Sequence, residues 1–288
     1  MRKIKVLHIE PTDVCQAACP LCARETNPDF NKADAGRHLR VEHIQRLYTE
    51  KQLKQLEKVF MCGNYGDPAA GKYTLDLYRY FRTLNPEIVL GMNTNGAIQT
   101  TFWWHGLANI LNQSQDFCVF SIDGLEDTNA TYRKNVNWAK LMANAESFIA
   151  AGGSAHWDML VYKHNQHQVD ACEQLAKDMG FKWFRAKVSK RPLLKGLEAP
   201  VNWQQPVKKS GSIKCHVTAE KSEYIDARGR KIPCCWLGAS VVDPIIDINT
   251  VKLTWKTDTP NSVCANTCST NKNQTVFEDQ WQREVQLC

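Results

Sequence analysis

The chain has 288 residues, of which 43% are hydrophobic and 23% charged, and a formal net charge of +6. This composition is typical of a globular protein and excludes disordered, collagen-like and coiled-coil chains. No apolar run reaches the ~18 residues of a membrane helix, and the N-terminus lacks a signal peptide, so we expect a cytoplasmic protein without membrane contact. The twelve cysteines then indicate metal ligation or redox chemistry rather than disulfides.

Strand-like and helical segments alternate from residue 4 to about residue 190. Repeated βα units of this kind predict an α/β fold with a parallel sheet or barrel and right-handed crossovers. Beyond them, prolines interrupt the chain and half of the cysteines follow, so we place a domain boundary between residues 194 and 195. The six predicted strands are residues 4–9, 59–62, 88–93, 117–123, 156–162 and 183–188.

The first cysteine cluster follows the first predicted strand, where Cys15, Cys19 and Cys22 form a C-x3-C-x2-C motif. Three thiolates can hold three irons of a 4Fe–4S cluster and leave the fourth iron open to a small chelating molecule. The alternatives are a zinc site or a chance group of buried thiols. Zinc sites usually have four protein ligands, and no fourth ligand lies nearby in the sequence.

The spacing and position of this motif resemble those of the radical S-adenosylmethionine (SAM) superfamily. After the second predicted strand, the segment GNYGDP resembles the GGEP motif of that family. The resemblance implies that Gly63 and Gly66 let the backbone approach the methionyl amine of SAM. Asp67 stands where Glu is commoner, and Leu21 stands where an aromatic residue commonly packs beside the adenine.

Four further residues at the ends of later strands are SAM contacts by the same resemblance: Asn95, Ser121, Asp123 and Arg133. Ser121 and Arg133 would bind the ribose hydroxyl and the SAM carboxylate, since a guanidinium can hold a carboxylate with two hydrogen bonds. Taken singly, the segments NTNG and SIDG are typical of turns. Their order along the chain supports one shared site at the ends of the strands.

The C-terminal cysteines follow a second pattern, C-x13-G-x4-C and then C-x3-C, formed by Cys215, Gly229, Cys234, Cys264 and Cys268. It resembles the auxiliary-cluster region of the SPASM/twitch subgroup, in which a hairpin with a glycine turn precedes a later cysteine pair. The resemblance implies one auxiliary 4Fe–4S cluster held by these four cysteines. Two alternatives stay open: a zinc site with the same ligands, and Cys235 as the ligand in place of Cys234.

The resemblance as a whole implies a partial (β/α)6 barrel in residues 1–194 and a twitch-type extension in residues 195–288. It implies reductive cleavage of SAM to a 5′-deoxyadenosyl radical, removal of a substrate hydrogen atom, and oxidation of the substrate with the auxiliary cluster as electron acceptor. Flavodoxin or ferredoxin would supply the electron. In the alternative reading, the chain is a peptide or protein maturase that forms a crosslink or an epimer.

The substrate class stays open between a small molecule and a peptide. A basic segment near the sixth strand also raises nucleic acid, which we expect less than the other two: Lys187, Lys190, Arg191 and Lys195. A non-catalytic reading is an iron–sulfur or zinc scaffold that has kept the barrel. Such a scaffold would have no need of Asp67, Ser121 and Arg133 at the ends of the strands.

Overall fold

The computed structural model describes residues 3–189, 193–194, 196–201, 212–240, 248–257, 260–269 and 283–288. Three residues of the basic segment, Lys190, Arg191 and Lys195, lie outside the described residues. The described chain forms nine strands: β1 (Val6–Ile9), β2 (Lys58–Met61), β3 (Val89–Thr94), β4 (Phe117–Ser121), β5 (Ala155–Val161), β6 (Trp183–Val188), β7 (Ser222–Ile225), β8 (Lys231–Ile232) and β9 (Arg283–Gln286).

All of these strands join one sheet in the order β8-β7-β1-β2-β3-β4-β5-β6-β9. The strands β1 to β6 lie in chain order and are parallel, and β7 is parallel to β1. At the two edges, β8 is antiparallel to β7 and β9 is antiparallel to β6. The α/β fold with a mostly parallel sheet is confirmed, and so are the six predicted strands, with small shifts at their ends.

Helices separate the parallel strands, as βα units require. The described helices are α1 (Ala23–Thr26), α2 (Val41–Leu47), α3 (Glu50–Leu53), α4 (Thr74–Leu84), α5 (Thr101–Ile110), α6 (Glu126–Tyr132), α7 (Trp138–Ala150), α8 (Val169–Asp178), α9 (His216–Glu220), α10 (Cys235–Ser240), α11 (Ile248–Leu253) and α12 (Ser262–Cys268). Among them, none has the length and hydropathy needed to cross a membrane.

The two faces of the sheet differ because successive side chains of a strand point to opposite sides. On one face, Leu7 and Ile9 are fully buried in a core that includes the helix residues Leu77 and Phe81. On the other face, residues such as His8 line a cavity of about 760 Å³, which we call the central cavity. All strands except β8 contribute side chains to its wall.

The C-terminal part of the chain extends this sheet. The predicted hairpin is present, with β7 and β8 joined by a turn in which Gly229 has φ +73°, a conformation that favours glycine. In the same turn, the Asp226 carboxylate accepts the N–H groups of Arg228 and Arg230. A second, smaller core holds this region together, with the buried residues Tyr224, Ile232, Leu237, Val251 and Cys264.

Candidate functional site

The loop after β1 holds the three cysteines of the C-x3-C-x2-C motif at the carboxyl end of the sheet. Cys19 is buried, whereas Cys15 and Cys22 are half-buried. The N–H of Cys22 donates to the carbonyl of Cys19 over 2.9 Å, and α1 begins directly after Cys22. Burial raises the pKa of Cys15, and the neighbouring Asp67, Cys19 and Cys22 raise it further. The three thiols therefore lie close enough to affect one another, and we call them the cysteine triad.

Two polar side chains from other loops reach the triad. The Asn95 amide, which follows β3, places Nδ2 3.7 Å from Sγ of Cys15. Arg133, at the end of α6, places Nη1 3.9 Å from Sγ of Cys19. Since α6 follows β4, segments that come after different strands meet at the carboxyl edge of the sheet, as a parallel βα arrangement predicts.

Asp67 holds Asn95 in place. Its Oδ2 accepts both the N–H and the side-chain amide of Asn95, each over 2.7 Å. Its Oδ1 accepts the Thr94 hydroxyl over 2.8 Å and the N–H of Ala69 over 2.9 Å. Burial raises the pKa of Asp67, and these hydrogen bonds oppose that shift. Because Asp67 is buried and fully engaged, it acts on the site by orienting Asn95.

Asp123 holds Arg133 in the same manner. Its Oδ2 accepts Nε of Arg133 over 2.6 Å, and its Oδ1 accepts the N–H of Leu160 over 2.6 Å. Burial lowers the pKa of Arg133, but Asp123, Cys19 and Tyr132 together more than offset this, so the pKa lies above its ordinary value. The guanidinium is thus a fixed cation beside the triad, suited to binding a carboxylate.

Gly66 lets the loop after β2 lie directly against the cysteine loop, and Gly63 lets the loop after β2 fold tightly on itself. A Cβ on Gly66 would stand 1.9 Å from the carbonyl oxygen of Thr12, and a Cβ on Gly63 would stand 2.0 Å from that of Gly66. In the same loop, the Asn64 carbonyl accepts Sγ–H of Cys22 over 3.5 Å. A larger residue at Gly66 would force the two loops apart, and a larger residue at Gly63 would clash within its own loop.

Ser121 ends β4 beside Asp158 of β5 and is half-buried. Within the described residues, no hydrogen bond joins its hydroxyl to Arg133. Joint binding of SAM by Ser121 and Arg133 therefore stays a prediction.

Glu10 belongs to this site, although the sequence pattern did not single it out. Its Oε1 accepts the N–H groups of Tyr65 and Gly66 over 2.6 and 3.0 Å, and its Oε2 accepts the hydroxyl of Tyr224. Burial raises the pKa of Glu10 to about 7. A signal was available, since a carboxylate directly follows an apolar strand, and buried carboxylates need partners.

Asn64 and Tyr65 tie the loop after β2 to the C-terminal part of the chain. Asn64 Nδ2 donates to the Tyr224 hydroxyl over 3.1 Å and to the Cys235 carbonyl over 2.8 Å. The Tyr65 hydroxyl donates to the Gly238 carbonyl in α10 over 3.2 Å. Through this loop, the triad and the C-terminal cysteines share a direct connection.

The four C-terminal cysteines of the predicted auxiliary site line one small cavity, and we call them the cysteine quartet: Cys215, Cys234, Cys264 and Cys268. The pKa of Cys234 is raised to about 11, chiefly by burial and to a smaller extent by Cys264 and Cys215. The remaining wall is mostly apolar, with Val217, Trp236, Leu237, Ile248 and Val263. The quartet is thus a group of thiols in apolar surroundings.

Cys235 lies outside the small cavity, although it neighbours Cys234 in the sequence. Its carbonyl accepts Asn64, and the residue lines the central cavity instead. This placement favours Cys234 as the fourth member of the quartet. Among the residues that the structure describes, no three His, Cys, Asp or Glu side chains surround a point that could hold a single metal ion.

No protein-family model and no curated protein matches the sequence. Solved structures do. SuiB of Streptococcus suis bound to the precursor peptide SuiA has a TM-score of 0.59 at 14% identity, over 86% of this chain and 63% of that chain. SuiB bound to SAM has a TM-score of 0.58 at 14% identity, over 90% and 67%. Native anSMEcpe with bound SAM has a TM-score of 0.55 at 14% identity, over 80% and 74%.

SuiB and anSMEcpe are radical SAM enzymes. This chain has their fold. In the complex with SuiA, the match spans less than two thirds of the SuiB chain. The match therefore shows that this chain shares the fold. It does not by itself show the reaction, the substrate or the partners of this chain.

Proposed function

We propose that this chain is a radical SAM enzyme in which Cys15, Cys19 and Cys22 hold a 4Fe–4S cluster with one open iron. The observation that carries the proposal is the meeting of three thiols with the Arg133 guanidinium and the Asn95 amide. When bound with SAM, such a cluster supplies the electron that cleaves SAM to methionine and a 5′-deoxyadenosyl radical, which removes a substrate hydrogen atom. The fold shared with two SAM-bound enzymes supports this proposal.

The polar residues around the triad have separate tasks in this proposal. Arg133, fixed by Asp123, binds the SAM carboxylate, and Ser121 binds the ribose. Asn95, fixed by Asp67, contributes a further polar contact beside Cys15. The loop with Gly63 and Gly66 presents backbone to the methionyl amine. The hydrogen bonds of Arg133 and Asn95 hold these two side chains in place, and the close contacts at Gly63 and Gly66 require a backbone without side chains.

The quartet is proposed to hold an auxiliary 4Fe–4S cluster, with no iron left for substrate. Its four thiols and apolar wall suit a closed cluster, and cysteine thiolates are the usual ligands of such clusters. An electron taken from the substrate radical by this cluster would make the net reaction a two-electron oxidation. In this proposal residues 1–194 form the partial barrel, and residues 195–288 form the twitch-type extension.

The substrate is a small molecule or a peptide, and the reductant is a flavodoxin or a ferredoxin. A second candidate function, peptide maturation with crosslinking or epimerisation, is favoured by the neighbours: SuiB binds the precursor peptide SuiA, and anSMEcpe binds the peptide Cp18Cys. The central cavity lies beside Cys234 and Cys235, so substrate and quartet would be neighbours in either case.

Anaerobic reconstitution tests the proposal. We expect about eight irons per chain, at roughly four for each cluster, and 5′-deoxyadenosine when dithionite and SAM are added. The same sample without dithionite is the control and should form none. Bound zinc, or clusters that do not cleave SAM, would contradict the proposed enzyme activity and favour a non-catalytic iron–sulfur or zinc scaffold.

A further inference from the structure

Six aromatic rings form a continuous belt across the wall of the central cavity. Neighbouring rings have centroids 4.9 to 6.2 Å apart, from β7 across the sheet to β6. Every ring in this series also lines the central cavity. The aromatic belt consists of Tyr224, His8, Phe60, Phe117, His156 and Trp183.

Strand register and one glycine create the belt. His8 pairs with Tyr224 on one side and with Phe60 on the other, so their rings stand side by side. At the next step, β3 places Gly91 between Phe60 and Phe117. A Cβ on Gly91 would stand 2.4 Å from the Phe117 ring. Because that Cβ is missing, the rings of Phe60 and Phe117 approach to 6.1 Å across β3.

The belt is a partly exposed surface, apart from Tyr224, which is buried in the smaller core. His8, Phe60 and Phe117 are only half-buried, while the strand neighbours that point to the helices, such as Leu7 and Val59, are fully buried. Concave surfaces rich in aromatic side chains with a few polar groups are the usual form of ligand sites. The partial exposure of these rings therefore indicates a place where a ligand packs.

Lys58 gives this surface its charge. Its ammonium group lies 4.7 Å from the centre of the Phe117 ring and 5.8 Å from that of Phe60. Burial lowers the pKa of Lys58, while Glu220 raises it. Within the described part of the chain, Lys58 forms no ion pair. A partly desolvated cation of this kind gains from a carboxylate placed against it.

The other charges of the cavity have partners. Asp158 accepts both Arg185 and Lys187, over 2.8 and 2.5 Å. Glu223 accepts the Tyr48 hydroxyl and lies 3.7 Å from Lys231. Glu284 raises the pKa of Arg185, so it lies within electrostatic reach of that side chain. Glu220, which lies within electrostatic reach of Lys58, is exposed to solvent, as is Glu284. Lys58 is the cation set directly over the belt.

We propose that the central cavity binds a planar substrate group that bears a carboxylate, with its ring on the aromatic belt and its carboxylate on Lys58. The group belongs to a small molecule. The proposed function is the basis for taking the central cavity as the substrate site. The binding itself needs neither SAM cleavage nor electron transfer, so the two proposals fail independently.

Calorimetric titration of the anaerobically reconstituted full chain with two matched probes tests the proposal. Indole-3-acetate and its neutral counterpart indole-3-acetamide share the ring and differ in charge. The acetate should bind about tenfold more tightly, as a charge-assisted hydrogen bond predicts. Lys58→Met should abolish that difference, and Lys58→Arg should keep it. Lys54→Met, a matched control at an exposed lysine paired with Glu50, should also keep it.

A second variant separates the ring from the charge. Phe117→Leu should weaken both probes by a similar factor and leave the preference for the acetate in place. Equal binding of both probes to the wild-type chain, or no binding of either, overturns the proposal whether or not the variants fold. A preference that survives Lys58→Met in a folded protein overturns the role of Lys58.

Discussion

The two cysteine sites differ more in their surroundings than in their ligands. The triad has three thiols, and the Asn95 amide and Arg133 guanidinium stand against two of them. The quartet has four thiols, and its wall is mostly apolar. Polar groups that are fixed by buried carboxylates suit a site that binds a small polar ligand. Thiols in a cavity with apolar walls suit a site that is closed to such a ligand. This difference supports our proposal that SAM binds at the triad.

A single loop joins the two sites. Residues 63–68 contact the triad through the Asn64 carbonyl and reach the quartet region through the Asn64 and Tyr65 side chains. Glu10 lies under this loop and binds Tyr224 of β7. The sites therefore differ in chemistry but share a rigid support.

The largest effect is expected from removing one cysteine at each site. Cys19→Ala should abolish 5′-deoxyadenosine formation, because the triad then has too few thiols to hold the cluster. Cys268→Ala should lower the iron content by about four per chain and keep SAM cleavage, because the triad is intact. Iron quantification and the 5′-deoxyadenosine assay check both results.

Cys288→Ala is the matched control, since Cys288 is exposed and belongs to neither site. It should keep the full iron content and the full rate. If Cys19→Ala cleaved SAM at the wild-type rate, or if Cys268→Ala abolished cleavage in a folded protein, the division of labour between triad and quartet would be wrong.

A smaller effect is expected at the polar wall of the triad. Arg133→Lys keeps the charge but loses the planar group that Asp123 fixes, so SAM should bind more weakly. The loss should be about 10- to 100-fold, as for a hydrogen bond to a charged group. Equilibrium dialysis with SAM measures it. Lys134→Met, at an exposed neighbour, should bind SAM as the wild type does, and equal binding by both variants would contradict the role of Arg133.

The smallest effect is a pH dependence at the junction of the two sites. Burial raises the pKa of Glu10 from its ordinary value of 4.5 to about 7, so the folded chain keeps a proton that the unfolded chain releases. This contribution to stability is complete below pH 4.5 and is lost as the pH rises to 7, at about 1 kcal/mol per pH unit. Glu10→Gln does not titrate and should lack this slope.

Denaturant unfolding between pH 5 and 7 measures the difference between wild type and Glu10→Gln. His8, whose pKa is lowered by burial to about 4, gives a slope of the opposite sign. It is present in both proteins and cancels in the comparison. A stability difference that does not change over this range would show that Glu10 is ionised in the folded protein.

Much of the fold followed from local patterns. Each of the six predicted strands is present, because β-branched and aromatic runs alternate with helical periodicity along the chain. The hairpin followed from a glycine turn between two short apolar segments. The pairing of β7 with β1 and of β9 with β6 had no local signal. Strands so far apart in the sequence pair only where the folded sheet brings their edges together.

The candidate site likewise has parts that the sequence predicted and parts that it did not. The thiols of the triad and the quartet were visible as spacings, because cysteine is a chemically distinctive residue. The contacts that hold these thiols and their neighbours in place could not be recognised from residue spacing. Asp67 appeared in the sequence as a SAM contact, and its place under Asn95 depends on how two loops pack. Asn64 reaches Cys235 across 171 positions of sequence.

By itself, the sequence determined the cysteine spacings, the βα alternation and the resemblance to radical SAM enzymes, because each depends on residues close together in the chain. Only the tertiary structure decided which polar groups face which thiol, that Cys234 rather than Cys235 joins the quartet, and that six rings from six strands form one belt. Those outcomes depend on strand register and on glycines that permit close approach, as at Gly91. Both are set by packing across the whole sheet.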